Sequence, residues 1–176
     1  WQQIMGNLLA AQTVGIVGYG GIGRRVARLA QAFGARVLAC DSRPVMAETG
    51  VEICSFDKLI AESNIVSLHL PYTPENHHLI NASTLSRMKP GAMLVNAARG
   101  GLVDEVALHA VLKANHLAGA ALDCFETEPY DGELAHLEQV LLTAHMGSYA
   151  KESRLLMEHE AADNLLQGLQ VKGLIK

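Results

Sequence analysis

Three ionisable residues stand out by their type and their neighbours: Arg99, Glu128 and His145. Arg99 follows Asn96-Ala97-Ala98 and precedes Gly100-Gly101. Glu128 comes five positions after Asp123, and His145 comes two before Gly147. A guanidinium can grip a carboxylate with two parallel N–H groups and polarise the carbonyl beside it. An imidazole titrates near neutrality and can exchange a hydroxyl proton. A carboxylate beside an imidazole favours its protonated form and fixes its tautomer. These three types together suit chemistry on a 2-hydroxy or 2-oxo acid. Each alone has a plainer reading: Arg99 as a surface ion-pair partner, Glu128 as a solvated loop residue, His145 as a histidine packed on a strand end.

A second constellation suits a dinucleotide. Gly18-Tyr19-Gly20-Gly21-Ile22-Gly23 is G-x-G-x-x-G, placed after an apolar run and before a helical pattern. Gly18 permits a tight turn, Gly20 keeps a side chain away from a pyrophosphate, and Gly23 lets helix and strand approach. The helix N-terminus then offers free N–H groups and partial positive charge. The following strand ends at Asp41, eighteen residues after Gly23. A carboxylate there accepts from both ribose hydroxyls and repels a 2′-phosphate, so NAD is expected over NADP. Arg43, two residues on, is the feature that tolerates a phosphate. The plainer readings are a glycine-rich turn without a ligand and Asp41 as a turn residue before Pro44.

The elements that must position these residues alternate short apolar runs with amphipathic stretches. Strands are expected at Thr13–Gly18, Arg36–Cys40, Ile65–Leu70, Ala92–Asn96, Gly119–Asp123 and Val140–Thr143. Helices are expected at Ile22–Phe33, Phe56–Glu62, Asn81–Met88, Asp104–Asn115 and Lys151–Gln167, with Asp104 as a cap. Apolar residues recur at Ile22, Val26, Leu29 and Phe33, and at Leu155, Ala162, Leu165 and Leu169, which is helical spacing. Wholly apolar strands alternating with helices predict an α/β fold, a doubly wound parallel sheet of Rossmann type. Ligands of such sheets bind beyond the carboxyl ends of the strands. Gly18–Gly23, Asp41, His69-Leu70-Pro71, Asn96–Arg99, Asp123–Glu128 and Thr143–His145 all follow strands, so one sheet edge collects nearly all the reactive side chains.

Composition narrows the alternatives. The chain has 176 residues, 49% apolar and 18% charged, which is enough for one domain with a sizeable core. A net charge of -4 without a cationic block argues against nucleic-acid or membrane-surface partners. No apolar run reaches the roughly 20 residues of a membrane span. Three widely spaced cysteines (Cys40, Cys54, Cys124) fit neither a disulfide framework nor a zinc site and point to the reducing cytoplasm. His77-His78 reads as a solvated turn, and no metal site is expected. Met146 and Met157 read as packing residues, and His159 as a surface residue.

The sequence resembles the cofactor domain of the D-isomer-specific 2-hydroxyacid dehydrogenases. That family includes D-3-phosphoglycerate, glycerate/hydroxypyruvate, D-lactate and formate dehydrogenases. The resemblance is carried by Val14–Ala27, Asn64–Asn76, Met88–Leu108, Gly119–Pro129 and Leu141–Arg154, and it covers almost the whole chain. It implies NAD as cofactor, a small 2-hydroxy or 2-oxo acid as substrate, and a homodimer formed through this domain. It implies that Arg99 binds the substrate carboxylate and carbonyl, that His145 is the acid/base, and that Glu128 is its partner. It further implies that Gly21 and Ile22 lie on the pyrophosphate and that Leu70, Pro71 and Ala97, Ala98 and Arg99 flank the cofactor. Asp123 then meets the nicotinamide carboxamide, and His145, Gly147 and Ser148 close over that ring. Formate dehydrogenases carry glutamine where Glu128 stands, which disfavours formate. Met146-Gly147-Ser148-Tyr149-Ala150 departs from the small residues more usual in phosphoglycerate enzymes, so the substrate stays open. Phosphite dehydrogenase shares the three residues, as do the C-terminal-binding corepressors, NAD-sensing dimeric scaffolds. Members of the family also have a substrate domain. Residues 1–176 read as the dinucleotide-binding domain, with residues 1–12 and 168–176 resembling interdomain segments. The chain begins at Trp1, only twelve residues before the first strand, and is expected to have negligible dehydrogenase activity alone.

Overall fold

The computed structural model describes residues 5–175. Residues up to His145 form one compact unit and those from Met146 another. The first unit contains a seven-stranded sheet: β1 (Thr13–Val17), β2 (Arg36–Cys40), β3 (Val51–Ile53), β4 (Ile65–Leu68), β5 (Met93–Asn96), β6 (Gly119–Leu122) and β7 (Val140–Leu142). Every pairing is parallel, and the order is β3-β2-β1-β4-β5-β6-β7. The chain runs outward from β1 in one direction, then returns to its other side at β4. This reversal opens a crevice between the carboxyl ends of β1 and β4.

Strand alternation divides the core. Leu38 and Cys40 of β2 join one buried cluster, with Leu59, Leu94 and Leu108. Val37 and Ala39 join another, with Ile16, Tyr19 and Ala27. Successive side chains of a strand point to opposite faces, so both faces of the sheet are covered. Helices α1 (Gly21–Ala32), α2 (Phe56–Glu62), α3 (Ala82–Arg87) and α4 (Glu105–Lys113) supply that cover. Three of them begin at side-chain caps: Ser55 accepts from the Lys58 N–H, Asn81 from Thr84 and Asp104 from Ala107. Each satisfies an N–H that the first helical turn leaves unpaired.

Two sequence expectations need correction. β3 escapes an apolar-run reading because it has three residues and only Val51 is buried. In α1 Val26 packs against the core, but the other large residues of the expected stripe do not. Its buried positions are Gly23, Ala27 and Ala30, while Ile22 and Phe33 are each 68% exposed and Leu29 is 62% exposed. The reason is the distance between helix and strand. A Cβ on Gly23 would lie 2.1 Å from the Gly18 carbonyl oxygen and 3.1 Å from Ile16 Cγ2, so only small residues fit that face.

The second unit is built on α5 (Lys151–Val171), four residues longer than the spacing predicts. None of its residues is buried, and Leu155 and Leu165 of the expected apolar stripe are exposed.

Candidate active site

β1 ends in a turn that only glycine makes comfortably. Gly18 has φ of +92°, and a Cβ on it would stand 2.5 Å from the His69 carbonyl oxygen. The loops after β1 and β4 therefore touch through bare backbone. Gly20 differs: a Cβ there would meet no protein atom within 4 Å. It lines a cavity of about 790 Å³ together with Gly18, Asp41, Leu70 and Pro71. Gly20's missing side chain thus leaves space open to the cavity, which is what a pyrophosphate crossing the loop requires. Gly21 and Ile22 form the first turn of α1, and the Cβ position of Gly21 is also open.

Asp41 sits at the cavity rim just past β2. Its Oδ2 accepts the Tyr19 N–H at 2.9 Å and its Oδ1 accepts the Arg43 N–H at 3.0 Å. Burial opposes its ionisation, but the Arg43 and Tyr19 N–H groups outweigh this and hold its carboxyl below the usual range. A permanently charged acceptor at this rim fits a ribose diol. The Arg43 guanidinium leans on the same Oδ1 at 3.4 Å.

The loop after β5 is held by Asn96, a residue whose role is not evident from sequence. Asn96 is 1% exposed. Its Nδ2 donates to the Arg99 carbonyl at 2.9 Å, and its Oδ1 accepts the Ala98 N–H at 3.1 Å. One buried amide thus fixes the backbone at Ala98 and Arg99 and leaves the Arg99 side chain exposed. Gly100 then passes directly under the next loop: a Cβ on it would fall 1.9 Å from the Phe125 carbonyl carbon. A side chain at this position would separate the Arg99 loop from the Glu128 loop.

Glu128 and His145 meet. His145 Nδ1 lies 3.1 Å from Glu128 Oε1 and 3.0 Å from Oε2. Since the carboxylate only accepts, Nδ1 carries a proton, and Nε2 is the nitrogen left to exchange one with a substrate. Oε1 also accepts the Phe125 N–H at 3.1 Å. The hydrogen bond from the His145 ring, then that from Phe125, holds the Glu128 carboxyl below its usual range. His145 itself has φ of +50°, a left-handed backbone uncommon outside glycine, which is a feature of strained functional positions. Both residues line a cavity of about 580 Å³, while Arg99 lines a neighbouring groove of about 380 Å³; Phe125 lines both.

Asp123 follows β6, and Thr143 after β7 donates its hydroxyl to Asp123 Oδ1 at 2.6 Å. Thr143 is a second residue that holds a site loop in place and is not evident as such from sequence. Its signal, like that of Asn96, is a polar residue closing an apolar strand run. Gly147 and Ser148 belong to the second unit. The nearby Cys124 thiol is pushed up to about 11 by burial, which makes it a poor nucleophile. His77-His78 lies in a turn, as expected, with His77 exposed. His78 is half-buried and pairs with Glu126, a residue 48 positions away.

Comparison with known proteins accords with this geometry. The chain is 46% identical to the D-3-phosphoglycerate dehydrogenase of Mycobacterium leprae over 153 residues, 85% of this chain and 29% of that protein. It is 44% identical to the glyoxylate reductase of Korarchaeum cryptofilum over 173 residues, 94% of this chain and 52% of that protein. It thus spans about half, or less, of the length of these relatives. The crystal structure of a glyoxylate reductase from Paecilomyes thermophila superposes with a TM-score of 0.91 at 35% identity, covering 96% of this chain and 52% of the other. The family model for the D-isomer specific 2-hydroxyacid dehydrogenase, NAD binding domain, matches residues 1–147. The glycine turn, the acid at the end of β2 and the paired Glu128 and His145 therefore stand in a chain that belongs to the D-isomer specific 2-hydroxyacid dehydrogenases, as their NAD binding domain.

Proposed function

We propose that this chain is the cofactor half of an NAD-dependent dehydrogenase that interconverts a D-2-hydroxy acid and its 2-oxo acid. The single observation that carries the reading is the His145–Glu128 pair at the same sheet edge as the dinucleotide turn. NAD, when bound, supplies the hydride acceptor. The residues of the chain do the rest. Arg99 binds the substrate carboxylate and polarises the oxygen on C2. His145 takes the hydroxyl proton on Nε2 during oxidation and returns it during reduction. Glu128 holds the ring in the required tautomer and stabilises the imidazolium that forms. Asp41 accepts from the adenosine ribose, Gly20 and Gly21 admit the pyrophosphate, and Leu70, Pro71, Ala97 and Ala98 flank the cofactor. Asp123 meets the carboxamide.

Activity is expected where a substrate domain accompanies this one, because orientation and exclusion of water need a second wall. The exposed Ile22, Leu29 and Phe33 on α1 suit contact with a second copy of the chain. Among the described residues no helix is long and apolar enough to cross a membrane. Cys40, Cys54 and Cys124 are free thiols, as suits the cytoplasm.

The test is His145→Gln in the longer enzyme, assayed with NADH against glyoxylate, hydroxypyruvate, pyruvate and phosphohydroxypyruvate. The wild type is expected to reduce at least one. The variant is expected to lose at least a thousandfold in kcat, about 4 kcal/mol of barrier, while binding NADH normally. Unchanged turnover would overturn the proposal.

A further inference from the structure

We infer that His77, His78 and Glu126 form a binding site for a divalent transition-metal ion, separate from the Glu128–His145 pair. One nitrogen from each ring and a carboxylate oxygen all lie within 4.8 Å of one another. The two imidazole rings stack with centroids 3.8 Å apart and planes 24° apart, which keeps them side by side. Two imidazoles and one carboxylate suit zinc, nickel or copper, leaving at least one position for water.

The backbone holds this set in place from three sides. His78 has φ of +51°, and its N–H donates to the Gly101 carbonyl at 2.9 Å. The left-handed conformation turns its ring toward Glu126, its hydrogen-bond partner. Glu126 in turn donates its N–H to Glu105 Oε1 at 2.8 Å, in the first turn of α4. Glu105 thereby adds a second carboxylate beside the site, which favours a cation. His77 Nδ1 lies 3.3 Å from the Tyr72 hydroxyl, the kind of outer partner that orients a metal-binding imidazole. The ligands come from two loops 48 residues apart, so an ion would pin the loop after β4 to the loop after β6. His77 and Glu126 also line the groove that Arg99 lines, which places the ion next to that guanidinium.

The experiment is a titration of the purified protein with cobalt(II), read by visible absorption, followed by displacement with zinc. The site is expected to take one equivalent, with an absorption that zinc abolishes. His77→Ala and Glu126→Gln are each expected to weaken cobalt binding by about tenfold or more. Glu128→Gln is expected to leave it unchanged. Circular dichroism and NADH binding of each variant show that the fold is intact, and the exposed His77 serves if Glu126→Gln does not fold. The absence of saturable one-to-one binding, equal binding by His77→Ala, or binding that follows Glu128 would overturn the inference.

Discussion

The side-chain amide of Asn96 donates to the backbone carbonyl of Arg99, three residues later, from a fully buried position at the end of β5. The loop that carries Arg99 is thus anchored to the core of the sheet through a buried amide. Asn96→Ala leaves the Arg99 carbonyl and the Ala98 N–H without their partner. The expected cost is about 1–3 kcal/mol of stability, measured by urea denaturation. In the longer enzyme the substrate KM is expected to rise, because the loop that loosens carries Arg99, the proposed carboxylate ligand. Equal stability of the variant would show that water replaces the amide.

Glu128 acts through the ring it holds. Its carboxyl is depressed by the His145 hydrogen bond first and the Phe125 N–H second, so it stays ionised throughout the neutral range. Any limb of the pH–rate profile in that range therefore belongs to another group. Glu128→Gln keeps an acceptor but removes the charge that favours the imidazolium. The limb of kcat/KM near neutrality is expected to move toward acid. A superimposable profile would remove Glu128 from the mechanism.

A stability prediction concerns the far edge of the sheet. Glu52 in β3 is bonded by Lys58 and by Arg36, which lower its carboxyl from 4.5 to about 2. A lowered carboxyl stabilises the fold above its unfolded pKa and loses that contribution as pH falls through the folded value. The group is exposed, so the effect is small. Glu52→Gln is expected to be slightly less stable than wild type at pH 7, with the difference fading as pH falls from about 4.5 toward 2. Paired thermal melts along that pH series measure it. A difference that persists in acid would contradict the assignment.

The sheet was legible because its strands read as short, mostly apolar runs, wholly buried in Thr13–Val17 and partly buried in Met93–Asn96. The site residues were legible because they follow those runs. Two kinds of feature were not. The packing face of α1 is made of Gly23, Ala27 and Ala30, whose small side chains carry little periodic signal beside Leu29 and Phe33. Contacts across long separations, such as Thr143 to Asp123 and His78 to Glu126, exist only after the strands align. The edge strand Val51–Ile53 was missed because Glu52, its central residue, faces solvent in a cluster of charges.

The central claim is that the turn after β1 receives the pyrophosphate of NAD. The most direct test is an NADH fluorescence titration of wild type and Gly20→Val. Gly20 has an ordinary extended conformation, and a Cβ there meets no protein atom. The valine variant is therefore expected to fold with a Tm within about 4 °C of wild type. Its new side chain would occupy the space the phosphates need, so NADH affinity is expected to fall at least tenfold, about 1.4 kcal/mol. Wild-type affinity in a folded Gly20→Val protein would contradict the account.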